Sequence, residues 1–331
     1  MKVRDVLLKG AHKVDYLLTN QSLLPAPPAN YELSREVSNQ WMFELLTGDS
    51  PCMISRIGSG ECGIVANYLQ VHSKDPLWKK CYRYITDETG LPWWDNLYLN
   101  SMRNNMGIFP ESINVLEQFS ERYLDDLPQI DLIGSMGYKE KWLPIRDDCK
   151  RVHIESLYPF FVNNPWTKAL KGKTVLVVHP FVFSIKQQYK NRKLIFDNPD
   201  IWPDYELKVF RAVQSNAGAK VPFKNWFDAL KYMEDGISHI DFDYAIIGCG
   251  AYGLSLAASI KRMGKKSIHL GGGSQLLFGI KGRRWEEDYR YWYLPKDYST
   301  DYRVLFNKYW IRPNSDETPI GASNVEGACY W

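Results

Sequence analysis

The stretch Asp243–Gly273, "DYAIIGCGAYGLSLAASIKRMGKKSIHLGGG", decides the fold class. An apolar run from Tyr244 to Ile247 breaks at glycine. Apolar residues then recur at helical spacing from Tyr252. A second apolar run ends at His269, just before Gly271, Gly272 and Gly273. Strand, turn, helix and strand in that order predict a βαβ unit with parallel strands. The turn Gly248-Cys249-Gly250-Ala251-Tyr252-Gly253 fits G-x-G-x-x-G, in which glycines let backbone approach a diphosphate at a helix N-terminus. An NAD(P) site also needs an acidic residue about 20 positions on, to hold the ribose hydroxyls. Here the second strand ends in His269 with no acid in place, and the motif lies late in the chain. The turn therefore reads in three ways: a dinucleotide site, a site for another phosphate-bearing ligand, or close helix–sheet packing.

Outward from this unit, the second half of the chain keeps alternating. "GKTVLVVHP" (172–180) and "YELKVFRAV" (205–213) read as strands. "FSIKQQYKNRKLIF" (183–196) and "FKNWFDALKYMEDGIS" (223–238) read as helices. In the first half, "CMISRIG" (52–58), "QIDLIGS" (129–135) and "CKRVHIES" (149–156) read as strands, and "YELSREVSNQWMFELL" (31–46) as a helix. The strands are near-continuous apolar runs, as strands buried on both faces are. These patterns predict a doubly wound, mostly parallel Rossmann-like α/β sheet. The expected division is an N-terminal helix and proline-rich link over 1–30, an α/β body over 31–290 with two halves meeting near 170, and a C-terminal arm over 291–331.

Composition narrows the function class. Hydrophobic residues are 45% of the 331 and the formal net charge is +3, too small to point to nucleic acid. Aromatics are 14%, which suits a sugar-binding surface as well as an aromatic core. The six cysteines include no C-x-x-C pair and read as a reduced, cytoplasmic set. No apolar run approaches the ~20 residues that span a bilayer. The first helix is amphipathic, with Val3, Val6, Leu7, Val14, Leu17 and Leu18 against Lys2, Arg4, Lys9 and Lys13. Its apolar side is expected to dock on the protein's own core. The alternative is peripheral association with the inner face of a membrane.

Ligands of open α/β sheets bind at the carboxyl ends of the strands. At "SRIGSGECG" (55–63), Gly58, Ser59 and Gly60 free the turn for a phosphate, Arg56 offers a diphosphate counter-charge, and Glu61 fits a base or a metal ligand. His179 closes an apolar strand, and Lys186 follows on the next helix. Gly272, Ser274, Gln275 and Lys281 form a further loop, where Lys281, Arg283 and Arg284 cluster beside Trp285. Arg103, Asn104 and Asn105 belong to an irregular aromatic stretch that fits the same cleft.

"SRIGSGE" followed by a helix resembles the signature of the GT-D-fold glycosyltransferases, bacterial enzymes that use nucleotide sugars. "RNNMGIFP" and the segment 246–273 are similar to pieces of that group and of uncharacterised proteins from polysaccharide gene clusters. The resemblance runs in patches from Ser55 to Trp285, and its first segment is the specific one. In that family the segment reads like R-F-G-D-G-E, and its Asp-x-Glu pair helps bind a metal and the diphosphate. Arg56, Gly58, Gly60 and Glu61 match, while Ser59 stands where the Asp would be. A neutral hydroxyl is a weaker ligand for a hard cation than a carboxylate, so use of Mn or Mg through Glu61 stays open. The resemblance implies transfer from a nucleotide-diphospho sugar to a surface polysaccharide or related glycan. Arg56 and the glycine turns would hold the donor, and Glu61 or His179 would serve as base. An NAD(P)-dependent sugar-nucleotide oxidoreductase and a non-catalytic nucleotide-sugar or glycan binding protein are the alternatives.

Overall fold

Eight parallel strands form one sheet in a computed structural model that describes residues 3–19, 31–135, 139–286 and 301–331. In chain order they are β1 (Tyr31–Glu32), β2 (Met53–Arg56), β3 (Leu132–Ser135), β4 (Lys150–His153), β5 (Thr174–His179), β6 (Glu206–Arg211), β7 (Tyr244–Ile247) and β8 (Lys266–His269). The spatial order is β1-β4-β3-β2-β8-β7-β5-β6. The helices are α1 (Val3–Leu18), α2 (Arg35–Thr47), α3 (Ser59–Val71), α4 (Leu77–Ile85), α5 (Asn96–Ser101), α6 (Ile113–Asp126), α7 (Val182–Lys190), α8 (Trp226–Ser238), α9 (Tyr252–Arg262) and α10 (Arg283–Glu286). This is the expected doubly wound Rossmann-like arrangement. The proline-rich link at 24–30 lies outside the described residues.

Strand periodicity divides the interior into two cores. Leu176 and Val178 of β5, with Ala245 and Ile247 of β7, meet α3, α6, α8 and α9 on one face. Val175 and Val177, with Tyr244 and Ile246, meet α2, α7 and the C-terminal segment on the other. The aromatics serve both cores: Trp226 stacks on Tyr252 at 4.9 Å within the first, and Trp166 is fully buried in the second. The segment 301–331 has no regular strand or α-helix. It packs on the second face through Tyr302, Trp310 and Trp331.

Two local readings are corrected. The segment 31–46 is not helical throughout: Tyr31 and Glu32 pair with Arg151 and Val152 as an edge strand. The helix starts only after Ser34, whose Oγ accepts from the Val37 N–H at 3.3 Å as an N-cap. The second correction concerns α1. Its polar side faces the protein: Asp5 accepts from Trp93 Nε1 at 2.7 Å, and Lys9 meets Asp95 at 3.1 Å. Its apolar side, expected on the core, is exposed.

The topology fixes where a ligand crevice opens. After β2 the chain leaves to the first face as α3, and after β8 it turns to the second face, where Leu276, Leu277 and Phe278 are buried. β2 and β8 are neighbours, with Met53 opposite Ser267 and Ile54 opposite Ile268. Loops that diverge from adjacent strands leave a gap at their carboxyl ends.

Candidate functional site

A cavity of about 760 Å³ occupies that gap. Its floor is the strand ends: Arg56 and Ile57 after β2, Gly248 to Gly250 after β7, and Leu270 to Gly273 after β8. His179 and Phe181 after β5 and Val213 to Asn216 after β6 extend it to one side. Ile154, Glu155 and Tyr158 after β4 close the other, with Arg284, Glu326, Tyr330 and Trp331 above them. A smaller hollow of about 360 Å³, bordered by Gln70, Arg83 and Lys141, lies away from the strand ends.

The first strand end is left open to chemistry. The Arg56 guanidinium makes no hydrogen bond or ion pair with any described residue, and neither does the Glu61 carboxylate. α3 begins at Gly58 with no side-chain cap, so the N–H groups of its first turn are available to an anion. Glu61 folds back over that turn: a Cβ on Gly58 would lie 1.9 Å from its Oε2. Ser59 is exposed at the rim, and Gly60 makes room for Met106.

The glycine turns are filled largely from within. A Cβ on Gly248 would meet Ser274 Oγ at 1.9 Å, His179 Cδ2 at 2.7 Å and the Gly271 carbonyl at 2.9 Å. Gly253 lets α9 settle on His269, whose Nε2 would be 2.2 Å from a Cβ there. This is the helix–strand packing reading of the motif. Gly250 differs, having φ of 59° and open space on its Cβ side. In the second turn each glycine receives one side chain: Arg56 over Gly271, Tyr330 over Gly272 and Tyr158 over Gly273. No acidic residue ends β8, where buried His269 bonds Ser55 Oγ at 3.1 Å.

Of the residues singled out from sequence, Arg56, Gly58, Ser59, Gly60, Glu61, Asn105, His179, Gly248, Gly250, Gly271, Gly272, Gly273, Gln275, Arg284 and Trp285 line the cavity. The others do not. Arg103 faces the Phe109 ring and reaches the Ala219 carbonyl at 3.5 Å. The Asn104 carbonyl accepts from Ala217 N–H at 2.8 Å, and of that stretch's three named residues Asn105 lines the cavity. Lys186 is exposed on α7. Lys281 pairs with Glu286 at 3.1 Å. Gly253 and Ser274 lie beneath the surface, where Ser274 Oγ donates to Gly271 O at 2.7 Å.

Protonation chemistry separates the candidates. Phe181 N–H donates to His179 Nδ1 at 2.9 Å, which leaves the neutral ring with its proton on Nε2. Burial lowers its pKa to about 3, so it enters the site as a hydrogen-bond donor and not as a base. Glu155, not singled out from sequence, lines the cavity beside Tyr302, whose hydroxyl donates to its Oε2. Burial raises its pKa to about 7, opposed by that hydrogen bond and by the charges of Arg35 and Arg284. Arg284 bonds Tyr330 Oη at 3.2 Å and pairs with Glu326. Burial pushes the Cys249 thiol well above its usual range, which removes it as a nucleophile. Glu155 and Tyr330 carried no motif; only the end of a predicted strand, before "ES", pointed toward the first.

No group of three His, Cys, Asp or Glu side chains that could hold a metal occurs among the described residues. Glu61 with an exposed Ser59 does not fit a hard-cation site, and no step below uses one. No family model matches the chain, and neither a curated protein nor a solved structure matches it.

Proposed function

We propose that the protein transfers a glycosyl group from a nucleotide-diphospho sugar to a glycan acceptor, as its resemblance to the GT-D enzymes implies. The observation that carries this reading is the unpaired Arg56 beside the uncapped start of α3, at the crevice between β2 and β8. A guanidinium with no internal partner next to free N–H groups suits a diphosphate. In this reading the acceptor oxygen attacks the anomeric carbon while the bond from that carbon to the diphosphate oxygen breaks. The diphosphate leaves with the electron pair and is held by Arg56. The acceptor proton passes to Glu61, which makes no internal hydrogen bond. His179 Nε2–H and the carboxyl of Glu155 border the same space and serve as donors to sugar hydroxyls or to the diphosphate. The aromatic rings of Tyr158 and Tyr330 give a sugar face a surface. The six unpaired cysteines suit a cytoplasmic enzyme, and association with the inner face of the membrane belongs to this reading.

A thermal-shift panel of UDP-, GDP-, CMP- and dTDP-sugars, NAD and NADP tests the proposal, each with and without Mn²⁺ or Mg²⁺. One nucleotide sugar is expected to raise the melting temperature. Arg56→Ala is expected to weaken that ligand by about 10- to 100-fold, the loss of a charged hydrogen bond. A shift with NAD or NADP alone overturns the reading. Binding without turnover reduces it to a nucleotide-sugar binding protein.

A further inference from the structure

α1 and α4 pack beside each other, and neither buries an apolar side chain. Along α1 the residues Val3, Val6, Leu7, Val14, Leu17 and Leu18 share one face, and their exposure runs from 48% at Val6 to 80% at Leu18. On α4, Trp78 and Tyr82 lie one turn apart and are 72% and 59% exposed, beside an exposed Leu77. Such a face is rarely left uncovered on a soluble surface.

Charge says what covers it. Arg4, Lys9, Lys13, Lys79, Lys80 and Arg83 stand against Asp5 and Asp15 within these two helices and against Asp75, Asp87, Glu88 and Asp95 of the flanking turns, so these groups balance in number and exposure sets the sign that a partner meets. In the ion pairs made here the cation is the more exposed partner, Arg83 with Glu88 excepted: Arg4 is 52% exposed against 12% for Asp5, and Lys79 48% against 21% for Asp75. Lys9 with Asp95 follows the same rule. A second copy of the chain seated on this face would bring like charges together across a two-fold axis. An anionic lipid surface would receive both the aliphatic stripe and the outward cations, with Trp78 and Tyr82 at the depth where such rings settle.

We infer that α1 and α4 form a docking surface for a membrane leaflet rich in anionic lipid, the helices lying in its plane. No helix among the described residues is long and apolar enough to cross a membrane, so the contact is peripheral. This inference rests on the exposed faces and not on the glycosyltransferase reading. It names the surface that membrane association would use.

The test is sedimentation of the full chain with vesicles of phosphatidylcholine alone and of phosphatidylcholine mixed equally with phosphatidylglycerol. Binding is expected to the mixed vesicles and to weaken with salt. Leu7→Glu with Leu17→Glu is expected to reduce binding by at least about tenfold, since each leucine contributes through its buried area. Both positions are exposed, so the melting temperature should be unchanged. Lys13→Glu is expected to reduce vesicle binding less than the double variant does. Failure of the parent protein to sediment with the mixed vesicles overturns the inference. So does equal binding to both vesicle types, or a dimer in size-exclusion chromatography that the double variant dissolves. The thermal-shift panel reads the cavity independently, so a nucleotide-sugar response lost or kept does not alter this outcome.

Discussion

The two walls of the cavity are built in opposite ways. On the wall after β4, and on the C-terminal segment above it, every polar group named has a partner. Tyr302 donates to Glu155, Tyr158 Oη donates to Leu270 O at 3.2 Å, and Arg284 holds Tyr330 and Glu326. Across the floor, Arg56 and Glu61 have none among the described residues. Tied side chains hold a shape. Untied ones, kept partly out of water, cost stability and persist where a ligand completes them. The contrast predicts where substitutions cost folding and where they cost binding.

The tied wall should give the largest effect. Tyr158 lies on Gly273, where a Cβ would come within 2.2 Å of its hydroxyl and 2.4 Å of Cζ. The ring is buried and held at its hydroxyl, so it has nowhere to swing. Gly273→Ala is therefore expected to destabilise by more than about 3 kcal/mol, through overpacking and loss of the bond to Leu270. Urea denaturation measures it, and a loss below about 1 kcal/mol would show this wall to be loosely seated.

Glu155 carries the next effect, and its sign depends on pH. Its folded pKa of about 7 lies above the ordinary 4.5, so the folded state binds the proton more tightly than the unfolded chain. Stability from this group is full below pH 4.5 and is lost as pH rises through 7. Glu155→Gln keeps an acceptor for Tyr302 and cannot ionise. It should match the parent at low pH and exceed it by about 3 kcal/mol above neutrality. His153 and His179 act in the opposite sense. Their pKa values are lowered by burial from 6.5 to about 4 and about 3, so they remove stability as pH falls below 6.5. They are common to both proteins and cancel in the difference. A gap that does not widen with pH would place Glu155 in a wetter setting than its burial indicates.

The fold was legible because parallel strands are buried on both faces. "TVLVVH" and "YAII" announce themselves with no partner in view. β1 was missed because two residues make no pattern, and its strand pairing, Tyr31 with Arg151 and Glu32 with Val152, comes from a distant part of the chain. The floor of the site was legible for a related reason: glycine after a buried strand marks a carboxyl end whichever use the glycine has. Which use it has was not. Gly248 and Gly253 fit a nucleotide motif letter by letter, yet each makes room for a side chain brought in from another strand. Glu155 and Tyr330 are far apart in the chain and join Arg284 of the basic cluster only through the sheet order and the path of the C-terminal segment. Lys186 and Lys281 were read from charge alone, and charge does not say which way a side chain faces.

The untied floor should give the smallest effect on folding, and there the comparison is sharpest. Glu61 is buried to 8% exposure, bears on the nearby Tyr123 through its charge, and has no hydrogen-bond partner among the described residues. A partner-less carboxylate in that setting is a cost to the folded state, opposed by its favourable place in the first turn of α3. Glu61→Gln removes both terms and keeps the shape. The net change in unfolding free energy should stay within about 0.5 kcal/mol of the parent. Turnover of the nucleotide sugar that the thermal-shift panel selects should fall by about 100-fold or more, the contribution of a positioned base, while donor binding is retained. If Glu61→Gln instead unfolds the protein, the carboxylate is part of the scaffold of α3. The two walls would then be alike, and the base would have to be sought on the β4 side, at Glu155.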